Sequence, residues 1–178
     1  MLATIRVDNG PESLVVDAAR GRAYTHRWQA STPAIELNTR KVVSEWANGC
    51  AGSRGIDVEP EHGFVLFACN DGMLWVIDPE HEGKIVSTVT AGAGYDVIGY
   101  NRQLRHVYLA GGKCACLTTV GMSTSGELSV LRRVDAPKDT HCAVADERRR
   151  VGVSTIAGAR AKSCRPRARE SLMQCLHG

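Results

Sequence analysis

An eleven-residue segment recurs along this chain at intervals of about 42 positions, so any fold must accommodate the same local structure several times over. Leu14–Tyr24 aligns with Ile56–Leu66 and with Ile98–Tyr108, and a further copy opens at Ala143–Gly152. The landmark positions 17, 59, 101 and 145 are spaced 42, 42 and 44 apart. Within each period, short apolar or alternating runs are separated by turn residues, a pattern of strands rather than helices. In the second copy the runs are Gly55 to Glu59, Phe64 to Cys69, Met73 to Asp78 and Lys84 to Val89. Pro60-Glu61-His62-Gly63, Asn70-Asp71-Gly72 and Pro79-Glu80-His81-Glu82-Gly83 separate them, and these residues fit tight turns. Each copy therefore reads as a four-stranded antiparallel meander. Such sheets repeating at 40 to 45 residues predict an all-β fold, a β-propeller.

The repeat also sets the domain organisation. Residues 1–155 read as part of a propeller: an outer strand at Thr4 to Val7, three full repeats and two strands of a fourth. After Val151-Gly152-Val153-Ser154 neither the alternation nor the β-branched residues continue. Rings of this kind close with about four to eight blades, and closure protects the edge strands. Two readings follow. The chain is a piece of a longer parent, with a shifted reading frame near residue 155, or it completes a ring with another copy of itself or a partner through its open blade edges. The first is preferred, because residues 156–178 read as a basic, disordered tail that did not evolve under the constraints of the fold.

Charge supports that division. The chain carries a formal net charge of +3, yet residues 1–146 hold 14 Lys+Arg against 17 Asp+Glu, and residues 147–178 hold 8 against 2. Arg148, Arg149, Arg150, Arg160, Lys162, Arg165, Arg167 and Arg169 could serve as a nucleic-acid arm through counterion release. No aromatic residue lies between Ala143 and Gly178 to stack on bases, so nucleic acid is not the favoured partner. Hydrophobic residues form 43% of the chain, and no apolar run reaches the roughly 18 to 20 residues of a membrane helix. No membrane span is expected. The start, Met1 to Asp8, lacks the basic, apolar and small-residue pattern of a signal peptide.

Val-Asp-x-x-x-Gly-Arg-x-Tyr at 16–24, followed by Leu74-Trp75-Val76-Ile77-Asp78 and Gly83-Lys84-Ile85-Val86-Ser87-Thr88-Val89, resembles the YVTN-type repeat of bacterial seven-bladed propellers. The resemblance spans roughly Thr4 to Ser154. It implies a scaffold that binds a small molecule or protein, frequently exported to the periplasm or cell surface. Catalysis is not indicated. The alternative that the architecture suggests is an enzyme-like propeller of the lactonase or quinoprotein kind.

In a propeller the first strand of each blade lines the central channel, and ligands commonly sit where these strands enter it. Five residues before each landmark lie Glu12, Arg54, Asp96 and Thr140, and one position later lie Ser13, Gly55, Val97 and His141. Glu12, Arg54, Asp96 and His141 are the candidate ligand-binding residues: Arg54 would hold an anionic group, and the carboxylates a metal or a hydroxylated ligand. The same residues could instead satisfy the turn into each strand or pair with the next blade. No catalytic residue, resident metal or cofactor is assigned.

Seven cysteines, at 50, 69, 114, 116, 142, 164 and 175, include no Cys-x-x-Cys. Cys50 and Cys69 bracket the first hairpin of the second copy, and a disulfide between them needs a bend at Gly52-Ser53. Cys114 and Cys116, if both lie in one strand, face the same side and fill an apolar layer or bind one ion. His141-Cys142 would face opposite sides of a strand and so cannot easily act on one atom. Gly92-Ala93-Gly94 and Gly111-Gly112-Lys113 read as turns rather than phosphate loops. Trp28, Trp46 and Trp75 read as blade packing.

Overall fold

The computed structural model describes residues 4–146 and 151–156, and the structure is built almost entirely of strands. Three antiparallel meanders follow one another. The first comprises β1 (Glu12–Asp17), β2 (Arg22–His26), β3 (Gln29–Glu36) and β4 (Lys41–Ala51). The second comprises β5 (Ser53–Glu59), β6 (Phe64–Cys69), β7 (Met73–Asp78) and β8 (Lys84–Thr90). The third comprises β9 (Tyr95–Asn101), β10 (His106–Gly111), β11 (Cys116–Met122) and β12 (Leu128–Asp135). A strand pair, β13 (Thr140–Asp146) and β14 (Val151–Ile156), comes last. The only helical element among the described residues is a 3-10 turn at Pro79–His81. Among the described residues no helix is long and apolar enough to cross a membrane. The expected Arg-rich tail lies outside the described residues.

The strands of the second repeat fall where alternation and turn residues place them, within two residues at the β5 start and one at the β8 end. Residues 4–7, expected as an outer strand, form none. The fourth landmark also shifts by one, because β13 runs to Asp146 rather than Ala145.

The landmark residues owe their chemistry to the turn that follows them. Asp17 accepts from Arg20 N at 3.2 Å, Glu59 from the N–H groups of Glu61 and His62 at 2.8 Å each, and Asn101 from Leu104 N at 3.0 Å. All three are buried. A short acceptor that satisfies the turn's amides is what each repeat needs at this point, which explains why Asp, Glu and Asn alternate there. Burial alone would raise the Glu59 pKa, but the backbone N–H groups of His62 and Glu61 and the His62 ring hold it below the ordinary value. Arg20 extends the first turn to the second by donating to Pro60 O at 3.1 Å and Glu61 O at 3.0 Å.

Packing between blades explains the one uninterrupted apolar run. Every residue of β6, Phe64 to Cys69, is buried. Because side chains alternate, Val65, Phe67 and Cys69 face the first blade with Tyr24, Ala34, Cys50, Ile56 and Ile77, while Phe64, Leu66 and Ala68 face the third with Tyr95, Ile98, Tyr100, Val107 and Leu109. A smaller cluster of Tyr108, Ala110 and Ala143 joins the third blade to β13. Each core is therefore an interface between neighbouring blades.

The innermost strands run parallel to one another about a common axis. β9 and β13 form a direct parallel pairing, Val97 opposite Cys142, that merges the third blade and the last strand pair into one six-stranded sheet. β5 approaches β9 so closely that a Cβ on Gly55 would lie 2.4 Å from Asp96 O and 2.8 Å from Ile98 N. Both obstacles are backbone, so Gly55→Ala is expected to destabilise the fold by about 1–3 kcal/mol. A drop in the urea midpoint with unchanged slope measures this; an unchanged midpoint would show that the two blades slide apart freely.

Candidate functional site

At the start of every inner strand the pairing register slips. The irregularity falls between Glu12 and Leu14 in β1, between Ser53 and Ile56 in β5, opposite Leu109 to Gly111 in β9, and between Thr140 and Cys142 in β13. Ser13, at the first of these points, has φ 58, in the left-handed region that side-chain-bearing residues rarely adopt. Bulges re-aim side chains at barrel rims and channel mouths. Here they coincide with the polar position that recurs once per blade.

Those residues are Glu12, Arg54, Asp96 and His141. The structure brings them together as two pairs rather than as one ring. Arg54 Nη1 lies 3.4 Å from Glu12 Oε1, and His141 Nδ1 lies 2.9 Å from Asp96 Oδ2. Each pair joins adjacent blades. The partners are 42 and 45 residues apart, one repeat in each case. Thr140, one residue earlier, is buried instead, with its hydroxyl donating to Pro137 O. With β13 ending at Asp146, His141, not Thr140, stands five residues before the strand end, as Asp96 does in β9.

All four side chains remain partly exposed, from 26% for Arg54 to 47% for His141. Exposed pairs of this kind contribute about 0–1 kcal/mol to stability, so the fold does not depend on them. Their polar edges remain open to an incoming group.

A fifth residue joins the Glu12–Arg54 pair. Trp28, expected as core packing, is 38% exposed, and the Arg54 guanidinium carbon sits 4.0 Å above its ring centroid. The indole occupies one face of the guanidinium, which holds the planar fork in place while leaving its N–H edges free to donate. Trp28 lies in the β2–β3 turn, and its backbone N–H donates to Asn9 O at 2.7 Å. Nothing in the local pattern around Trp28 signals this role, because its partner lies in another blade. Trp46 and Trp75 do pack within the blades, against Tyr24 and Phe67.

Beneath the Glu12–Arg54 pair lies a buried polar cluster. His26, opposite Glu12 in the β1–β2 register, has its Nδ1 3.0 Å from Thr32 Oγ1. Asn48 Nδ2 donates to Thr32 Oγ1 at 3.2 Å and to Ser53 Oγ at 2.9 Å, and Asn48 Oδ1 accepts from Cys50 N at 3.1 Å. Burial lowers the His26 pKa to about 4, so the ring is neutral at physiological pH. The sulfurs of Cys50 and Cys69 are bonded at 1.93 Å beside this cluster, with the chain bending at Gly52, φ 93.

At the opposite end of the strands, Glu59, Glu61 and His62 present ligand atoms within 4.8 Å of one another, beside a cavity of about 400 Å³ lined by Glu59, Pro60, Glu61, Arg102 and Gln103. The carboxylate of Glu59 already accepts from Glu61 and His62, and Glu61 accepts from Arg105 at 2.5 Å. These donors and acceptors are committed to the turn.

No protein-family model matches the sequence, and no curated protein is similar to it. Its structure, however, is similar to solved β-propellers. A candidate 6-phosphogluconolactonase from Bacteroides fragilis aligns with a TM-score of 0.64 at 13% identity, covering 73% of this chain and 40% of its own. A chain of the Mitotic Checkpoint Complex aligns at 0.67 and 12%, covering 77% and 43%. The Myceliophteria thermophila Cps50 (Swd1) β-propeller domain aligns at 0.67 and 10%, covering 83% and 51%. The chain has the β-propeller fold. It spans about two fifths to one half of the length of these structures.

Proposed function

We propose that this chain is a YVTN-type recognition scaffold that forms part of a larger propeller ring, and that its channel mouth binds a ligand bearing a carboxylate or phosphate. The observation that carries this reading is Arg54. Its guanidinium is fixed over Trp28, only loosely paired with Glu12 at 3.4 Å, and partly exposed. A planar fork held this way meets an oxyanion with two parallel hydrogen bonds and displaces a weak partner to do so. The partial coverage of the propellers it resembles, 40 to 51% of their lengths, supports the larger ring.

Trp28 supplies the test. Titration with citrate and with glucose 6-phosphate should change tryptophan fluorescence saturably, and Arg54→Ala should weaken the response at least tenfold without altering the β-sheet circular dichroism. No saturable response, or an equal one in Arg54→Ala, sinks the proposal.

A second reading rests on Asp96 and His141. Nδ1 of the imidazole meets the carboxylate at 2.9 Å, an arrangement that orients a ring as a general base. Lactone hydrolysis, the activity named for the Bacteroides fragilis neighbour, would need such a base. Hydrolysis of 6-phosphogluconolactone above the spontaneous rate, lost in His141→Ala, would favour it over pure binding.

A further inference from the structure

The described residues hold two disulfides that differ in what they join. Cys50–Cys69 ties β4 to β6 across 19 residues, and both cysteines are buried. Cys114–Cys116 spans two residues within the β10–β11 turn, its sulfurs 1.98 Å apart. The expectation that both thiols fill one strand face fails because β11 starts only at Cys116; Cys114 lies in the turn, and Ala115 between them has φ 49. A cross-link that closes so short a loop removes almost no freedom from the unfolded chain, so it adds little to stability.

The surroundings are those of a reactive pair. Cys116 is 3% exposed, whereas Cys114 is partly exposed. A Cβ placed on Gly92 would lie 2.4 Å from Tyr95 Oη, 3.0 Å from Cys114 Sγ and 3.1 Å from Cys116 Sγ, so the tyrosine hydroxyl and both sulfurs border one small space. Tyr95 Oη is buried without a hydrogen bond, and the Thr118 hydroxyl near it donates to Ala91 O at 2.8 Å. An unpaired buried donor beside a disulfide is costly in the oxidised form and useful once a thiolate appears there.

We propose that Cys114–Cys116 is a thiol–disulfide exchange site for low-molecular-weight thiols, with Cys114 the sulfur attacked, Cys116 the leaving thiol and Tyr95 a positioning residue that donates to it. An external thiolate forms a bond to Cys114 Sγ as the Cys114–Cys116 bond breaks, and the electron pair passes to Cys116 Sγ, which takes up a proton. A second thiolate then attacks the external sulfur of the mixed disulfide and releases Cys114 as the second thiol. Two external thiols are oxidised to their disulfide, and the Cys114–Cys116 disulfide is reduced by the same two electrons; the oxidised external disulfide drives the reverse. A small thiol fits because only one of the two sulfurs is accessible.

The test uses the full chain with Cys142, Cys164 and Cys175 first alkylated. Graded reduced glutathione is followed by labelling of new thiols and peptide mapping. Cys114 and Cys116 should open at a concentration at least tenfold below that needed for Cys50 and Cys69, with the β circular dichroism unchanged. In separate variants exposed to oxidised glutathione, Cys116→Ser should carry glutathione on Cys114, and Cys114→Ser should leave Cys116 unmodified. Tyr95→Phe should slow opening at least fivefold and leave Cys50–Cys69 unaffected. Opening of both disulfides together, equal modification of Cys114 and Cys116, or binding of Zn²⁺ in place of disulfide formation would each overturn the proposal.

Discussion

Phe67→Ala is expected to destabilise the fold by about 3–5 kcal/mol, the largest effect of any single substitution proposed here. Phe67 is fully buried on the β6 face that meets the first blade. Its ring lies parallel to Trp75 at 6.4 Å between centroids and edge-to-face with His26 at 5.2 Å. Truncation removes the transfer free energy of the ring and leaves a cavity between two sheets. The sheets are held by their own hydrogen-bond ladders, so they cannot collapse to fill it. Urea denaturation reads the loss as a lower midpoint at unchanged slope. A cost below about 1 kcal/mol would mean that the blade interface is loosely packed and that each blade is stable by itself.

The second large effect is a dependence on pH. Burial holds the folded His26 pKa at about 4 against an ordinary value of 6.5. Between these values the unfolded chain binds a proton at this residue and the folded chain does not, so stability falls as the pH drops from 6.5 toward 4. The full loss is on the order of 3 kcal/mol, from a difference of about 2.5 units at 1.36 kcal/mol each. His106 is also lowered by burial and adds in the same direction. Glu59 acts further down: its pKa is depressed, so its contribution is present above about 4.5 and is lost as the pH falls through its lower folded value. Thermal melts of the chain and of His26→Phe between pH 4 and 7 separate these contributions. The variant should flatten the slope above pH 4.5 without abolishing it. Parallel curves would show that the cluster of His26, Thr32, Asn48 and Ser53 admits a proton when folded.

Much of the fold was legible because its signals are local. Alternation in Met73–Asp78, turn residues such as Asn70-Asp71-Gly72, and the acceptor at positions 17, 59 and 101 act within a few residues of themselves, and their recurrence every 42 residues announces repeated blades. Glu12, Arg54 and Asp96 were legible as a recurring polar position for the same reason, since each stands five residues before its acceptor. The count failed in the fourth copy, where it placed Thr140 beside Asp96. The landmark there is Asp146 rather than Ala145, so the same count of five reaches His141; the run Ala143-Val144-Ala145-Asp146 gives no local mark of which residue ends the strand.

The sequence by itself determined the strand positions of the second repeat, the turns between them and the polar position that recurs five residues before each acceptor. Tertiary structure alone decided that Glu12 meets Arg54 while Asp96 meets His141, that Trp28 lies under the Arg54 guanidinium, and that His26 is sealed into the interior with a depressed pKa. It also decided that Cys114 leaves the strand to bond its neighbour but one. The physical reason is reach. Hydrophobic alternation and turn chemistry are properties of a few consecutive residues, whereas pairing, desolvation and ring contacts depend on which blade stands beside which, a matter fixed only when the sheets pack around their axis.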